Sequence, residues 1–162
     1  MPSTHYVPPH IPHAYGGARA LISLHEIHLR EFVDTWRQAK AAKVNLPQTD
    51  NPNYESLEAL LFHVFRAARG YMTWACERLE LPDPEIRSTP EPSELPSQLD
   101  DYMEHLLDRY RQPLQDVPEE RFYRPTFESR WKVRYCIDAM LEHAAMHPLR
   151  HQHQLQNAMG SP

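Results

Sequence analysis

Apolar residues recur at three- and four-residue steps along four stretches of the chain, the spacing that places them on one face of an α-helix. The first stretch runs from Ala18 to about Ala42, where Leu21, Leu24, Phe32 and Trp36 share a broad face with Ile22, Leu29 and Val33 on its flank. His25 and His28 fall inside that inward arc. A second helix is expected from about Ser56 to Leu79, burying Leu57, Leu60, Leu61, Val64, Ala67, Ala68, Tyr71, Trp74 and Ala75, with Arg66, Arg69, Glu77 and Arg78 largely outside and His63 at the edge of the buried arc. The third spans about Ser97 to Gln112, with Ser97 as N-cap, Asp100 and Asp101 in its first turns, and a stripe of Leu99, Met103, Leu106, Leu107 and Tyr110. The fourth begins near Trp131 or Val133 and continues to about Ala158, with Val133, Ile137, Met140, Ala144 and Leu155 facing inward.

The intervening segments are rich in helix breakers. Pro47 and Asn51-Pro52-Asn53 mark a turn between the first two helices. Leu81 to Pro96 carries five prolines and must be non-helical. Fifteen extended residues reach roughly 50 Å, enough to return along a helix of about 36 Å, so the third helix is free to run parallel to the second. Pro118 to Arg130 is a further irregular connection, and no clear alternating strand pattern is present. Helices that each bury one stripe must pack on one another, so the fold expected is an all-α four-helix bundle with long crossover loops. Its limits are residues 18–158, preceded by an extended proline- and histidine-rich arm over 1–17 and followed by a short tail over 159–162.

At 162 residues the chain can bury a sizeable core as one domain without a metal or disulfide scaffold. Its net charge of −5, with no run of lysine or arginine, carries no footprint for nucleic acid or an anionic membrane surface. No stretch of eighteen apolar residues and no basic-then-apolar leader is present, and the two cysteines, Cys76 and Cys136, suit a reducing cytoplasm. The expected partner is a small molecule.

The segment His143-Ala-Ala-Met-His147-Pro-Leu-Arg-His151-Gln-His153-Gln-Leu155 carries the chemistry. His147 and His151, four apart, lie one above the other on a helix face that is otherwise apolar. Two inward imidazoles can hold a divalent metal if a third ligand comes from elsewhere. Carboxylate-rich di-iron chemistry needs Glu-x-x-His, and zinc proteases need His-Glu-x-x-His; the chain has neither. The cysteines are too far along their helices, Cys136 roughly 16 Å from His147 and Cys76 about 20 Å from His63. Histidine-only ligation is left. His143 with His147 is the rival pair, because Pro148 inside the helix is expected either to kink it, altering the His147 to His151 spacing, or to start a new helical segment. Antiparallel pairing of the first two helices places Thr35 level with His63 and His28 about 10 Å away, making His25 and His28 candidates to support the ligands or line a pocket, as His143 also is. The arm histidines His5, His10 and His13 lack a fixed geometry.

One histidine in the second helix of a four-helix bundle, with His-x-x-x-His and then Gln154-Leu155 in the fourth, resembles the DinB/YfiT-like family of metalloenzymes. The chain departs from that family's His-Arg-Gly-Gln-Leu by Gln152-His153 in place of Arg-Gly, and by Pro148 after His147. The resemblance implies His63, His147 and His151 as ligands of a divalent ion, with zinc, nickel, iron and manganese all compatible. It implies a homodimer and a metal-dependent activity, either transfer of a low-molecular-weight thiol to a small electrophile or hydrolysis of a small substrate. A non-catalytic bundle binding metal or a small ligand in a stress response is the alternative.

Overall fold

A computed structural model describes residues 5–160. Residues 1–4, which include Pro2 of the expected arm, and residues 161–162 of the expected tail lie outside them. Within this range four long helices form: α1 (Gly16–Ala41), α2 (Leu57–Leu79), α3 (Leu95–Tyr110) and α5 (Ile137–Gly160), with a one-turn α4 (Glu120–Tyr123) between the last two. The protein is mostly helical. A two-residue antiparallel ladder, β1 (Phe127–Glu128) with β2 (Arg134–Tyr135), precedes α5.

The predicted stripes are buried, with a few displacements. On α2, Ser56 caps the helix, its hydroxyl accepting from the Ala59 N–H at 3.0 Å, and Leu57, Leu60, Leu61, Val64, Ala68, Tyr71, Trp74 and Ala75 all turn inward. On α1 the buried face is rotated from the expected one: Leu24 is exposed, while His25 and Glu26 are buried beside Leu29, Phe32 and Trp36. Helix α3 starts at Leu95 rather than after a Ser97 cap. A turn closed by Glu94 N–H and Leu95 N–H to the Glu91 carbonyl leads into it, and Pro96 stands in the first turn, where its missing N–H costs nothing. The final helix starts at Ile137, so Trp131 and Val133 belong to the hairpin and Val133 is exposed, not part of the inward histidine face. Pro148 is accommodated inside one continuous α5.

Side-chain contacts give the helix directions. Trp36 Nε1–H donates to the Leu57 carbonyl at 2.7 Å, which sets α1 antiparallel to α2, and Tyr15, at the start of α1, donates to Asp138 at the start of α5 at 3.0 Å, which sets α1 parallel to α5. Phe65 packs on Tyr102, while Leu81 and Arg109 share one surface at the other end, so α3 runs with α2. Parallel neighbours require the long return predicted for Leu81 to Pro96, which the structure shows over residues 80–94. That segment is pinned along α3 by Arg109–Glu85 (3.1 Å), by Arg87–Asp101 (2.9 Å), and by Tyr102 donating to the Arg87 carbonyl (3.0 Å), while Ile86 fills the core.

The described part of the arm is extended and fastened. Tyr6 hydroxyl donates to Glu26, a buried carboxylate that also takes Arg111 at 2.6 Å and Arg30 at 3.1 Å. Burial alone would raise the Glu26 pKa, but Arg111, Tyr6 and Arg30 together hold it below the usual carboxylate range. Ala14 N–H reaches the Gln115 carbonyl at 2.7 Å, and the Tyr15 ring lies over Gly17 where a Cβ would collide with it.

Candidate metal centre

Helices α2 and α5 pack antiparallel, so ascending positions on one meet descending positions on the other. Tyr71 meets His143 and His147, and His63 meets His147 and His151. The i,i+4 geometry of α5 holds the His147 and His151 rings 4.6 Å apart, close to perpendicular. His63, on the second turn of α2, faces both.

The nitrogens converge. His147 Nε2 lies 3.1 Å from His63 Nε2 and 3.3 Å from His151 Nε2. Two ligand nitrogens at about 2.0–2.1 Å from a tetrahedral zinc stand about 3.3 Å apart, so these three histidines could hold a metal ion, and the same separations also suit hydrogen bonds between the rings. Among the described residues these three form the group of histidine, cysteine, aspartate or glutamate side chains whose ligand atoms all lie within 4.8 Å of one another. All three are held neutral. Burial pushes the His147 pKa down to about 2, with the His151 and His63 imidazoles, Arg150 and His143 adding to it, and burial likewise lowers His63 to about 4 and His151 below its ordinary value. A neutral imidazole cluster in a half-buried site offers lone pairs rather than charge, which is what a divalent cation takes.

Gln154 settles which nitrogen of His151 carries the proton. Its Oε1 lies 2.8 Å from His151 Nδ1 and can only accept, so Nδ1 donates and Nε2 turns its lone pair to the cluster. Tyr54, from the 3₁₀ turn before α2, covers the other side of His151, with ring centroids 6.0 Å apart. His147 Nδ1 is buried without a hydrogen-bond partner among the described residues.

The rival pair is not formed in the same way. The His143 and His147 rings are 6.5 Å apart, and His143 stacks on Trp131 at 5.2 Å instead. It lines a cavity of about 430 Å³ that opens beside the cluster, together with His63, His147, Tyr71, Trp74 and Trp131. His25 and His28 do not line that cavity. The Trp36–Leu57 contact shifts the register so that residues near Arg30, not Thr35, stand level with His63, yet the α1 face carrying these histidines turns elsewhere. His25 stacks on Tyr110 of α3 with centroids 4.3 Å apart, and His28 pairs with Glu31 at 3.4 Å. In the arm, His10 meets Arg19 and His13 Nδ1 lies 2.9 Å from the Ile11 carbonyl, while His5 belongs to no such group. Cys76 is buried, and burial pushes its thiol up to about 12, so it offers no thiolate.

Sequence reading missed two features of the cavity. Tyr71 reads as an apolar position, but its phenol makes no hydrogen bond to a described residue, and burial pushes its pKa up to about 12, so it stays a donor at neutral pH. Arg66 reads as a charge largely outside the second helix, and it borders the cavity with Arg150. The available signal was His63-Val-Phe-Arg66 and His147-Pro-Leu-Arg150, the same His-x-x-Arg spacing on two facing helices.

No helix among the described residues is long and apolar enough to cross a membrane. Comparison of the chain with family models, with curated proteins and with solved structures gives no match.

Proposed function

We propose that His63, His147 and His151 hold a divalent metal ion, and that the chain is a metal-dependent enzyme on a DinB/YfiT-like four-helix bundle, acting by thiol transfer to a small electrophile or hydrolysis of a small substrate. The convergence of three neutral Nε2 atoms, at 3.1 and 3.3 Å, carries this reading. Three protein ligands leave a tetrahedral ion one position short, the arrangement of catalytic rather than closed structural sites. Bound there, the cation supplies Lewis acidity and lowers the pKa of a thiol or water brought to it.

The remaining work falls to the cavity side chains. Tyr71, 7 % exposed and un-ionised, is placed to donate a hydrogen bond to a ligand atom beside His147. Gln154 keeps the His151 lone pair directed inward. Trp74 and Trp131 give the cavity flat apolar walls that exclude water from one side of a bound molecule.

One observation favours a second reading, in which the site binds metal or ligand without turnover: among the described residues lining the cavity there is no carboxylate to act as a general base. Assays with a low-molecular-weight thiol and an electrophile, and with small esters and amides, separate the two. The metal itself is tested by elemental mass spectrometry on untagged, unchelated protein. Near-stoichiometric metal, falling about tenfold or more in His147→Ala or His63→Ala, is expected when one of three ligands is lost. Metal-free protein that stays so after incubation with zinc, nickel and manganese would sink the metal-dependent enzyme and leave only ligand binding without metal.

A further inference from the structure

From the lining of the cavity beside the histidine cluster we infer that it is a binding site for a small planar organic carboxylate. The cavity is bordered by Arg66, Arg130 and Arg150 and, among the described residues, by no aspartate or glutamate. In a chain of net charge −5, three cations gathered without an acid are a local reversal of sign. None of them has a carboxylate within 4 Å among the described residues, whereas Arg30, Arg37, Arg87, Arg109 and Arg111 all do. Among the described residues Arg130 and Arg150 make no side-chain hydrogen bond or ion pair, and Arg66 lies over the Phe62 ring at 5.9 Å.

Each arginine reaches the cavity from a different element. Arg66 follows His63 by three residues on α2, Arg150 follows His147 by three on α5, and Arg130 comes from the hairpin. A Cβ on Gly70 would stand 3.7 Å from the Arg130 Nη1. That is ordinary van der Waals contact, so the Arg130 guanidinium passes directly over α2 at Gly70.

Guanidinium groups pair in two-point fashion with carboxylates, which fixes the anionic end. The body of the ligand is set by Tyr71, Trp74, Trp131 and His143, whose rings offer faces and edges to a flat unsaturated group. The volume of about 430 Å³ admits a molecule of one or two rings.

This assignment deepens the metal-centre reading by naming a ligand class, but its test does not depend on metal. The full-length chain, stripped of metal by chelator, is titrated with 4-nitrobenzoate and with its neutral counterpart 4-nitrobenzamide, following quenching of tryptophan fluorescence. The acid is expected to bind about tenfold more tightly than the amide, and Arg66→Gln and Arg150→Gln each to weaken the acid about five- to tenfold while leaving the amide within about twofold. Both arginines are exposed, so the substitutions leave the core intact. Equal binding of acid and amide, or acid binding indifferent to both substitutions, overturns the inference. The same titration on zinc-loaded protein separates the two readings. Preference for the acid that arises only with zinc and survives loss of the arginines also overturns the pocket. Arginine-dependent binding in a protein that holds no metal keeps the pocket and leaves the metal centre refuted.

Discussion

The two ring nitrogens of His151 are distinguished only by what each touches. Gln154 Oε1 fixes the proton on Nδ1, and the ring then has no freedom to turn its N–H toward the cluster. Replacing Gln154 by leucine removes that acceptor on an exposed side chain, so the fold is unaffected. Metal affinity is expected to fall about 10- to 100-fold, the usual cost of losing a partner that orients a ligand. Competition with a chromophoric chelator measures it, and unchanged affinity would mean that His151 is oriented by packing alone. At this scale the sequence was informative where spacing alone places a side chain. His147 and His151 follow from a four-residue step among apolar neighbours, whereas spacing puts His63 only at the edge of a buried arc and its place beside them came from the family resemblance. Gln154 and Leu155 were noted only as a matching pair, and the role of Gln154 depends on a distance that spacing does not supply. Tyr71 is buried and Arg66 exposed, as the pattern places them, but that they border one cavity depends on how the helices pack, which amphipathic patterning does not carry.

Pro148 lies buried within α5, one residue after a candidate ligand, in a helix that nevertheless continues from Ile137 to Gly160. An interior proline lacks the N–H for one backbone hydrogen bond and crowds the preceding turn, at about 3 kcal/mol, while its buried ring contributes roughly 1–2 kcal/mol of apolar burial. Pro148→Ala should therefore stabilise the protein by about 1 kcal/mol, raising the melting temperature by about 2–4 °C. Metal content should not change, because the His147 and His151 Nε2 atoms already meet at 3.3 Å without a break in the helix. A stabilised variant that loses metal would show instead that the local distortion shapes the site. Interiors of elements were legible and their ends were not. The stripe from Leu99 to Tyr110 announces α3, but its start was assigned to Ser97 because serine is a good cap; the turn at Glu91–Leu95 supplies the first bonds instead. Trp131 and Val133 continue the apolar period of α5 backwards, yet the Ser129 N–H to Val133 carbonyl bond (2.8 Å) closes a hairpin there. Such long-range closures compete with local propensity and leave no periodic trace in so short a ladder.

Across the whole molecule the histidines make stability depend on pH, and His25 gives the cleanest measure because it is not among the clustered ligands. It is buried between α1 and α3, stacked on Tyr110, and neither ring nitrogen has a hydrogen-bond partner among the described residues. Burial pushes its pKa down to about 4, against the opposing pull of Glu26. In the unfolded chain the same imidazole titrates near 6.5. Between about pH 6.5 and 4 the unfolded state therefore holds a proton that the folded state refuses, so the unfolding free energy rises with pH across that window. Stability is fully present above pH 6.5 and is lost on acidification until the folded protein takes up the proton near pH 4. The full shift corresponds to about 3 kcal/mol from this one residue, a large fraction of the 5–15 kcal/mol typical of a domain. His25→Phe keeps the ring against Tyr110 and removes the titrating group. Urea unfolding of metal-free wild type and variant should give curves that coincide in slope above pH 6.5 and diverge below it, the wild type falling faster by up to about 3 kcal/mol at pH 4. The variant should also retain metal at pH 7.5, since His25 does not reach the cluster. Parallel pH profiles would show that His25 is protonated or solvated in the folded protein, while loss of metal would return it to the site from which its stacking on Tyr110 separates it.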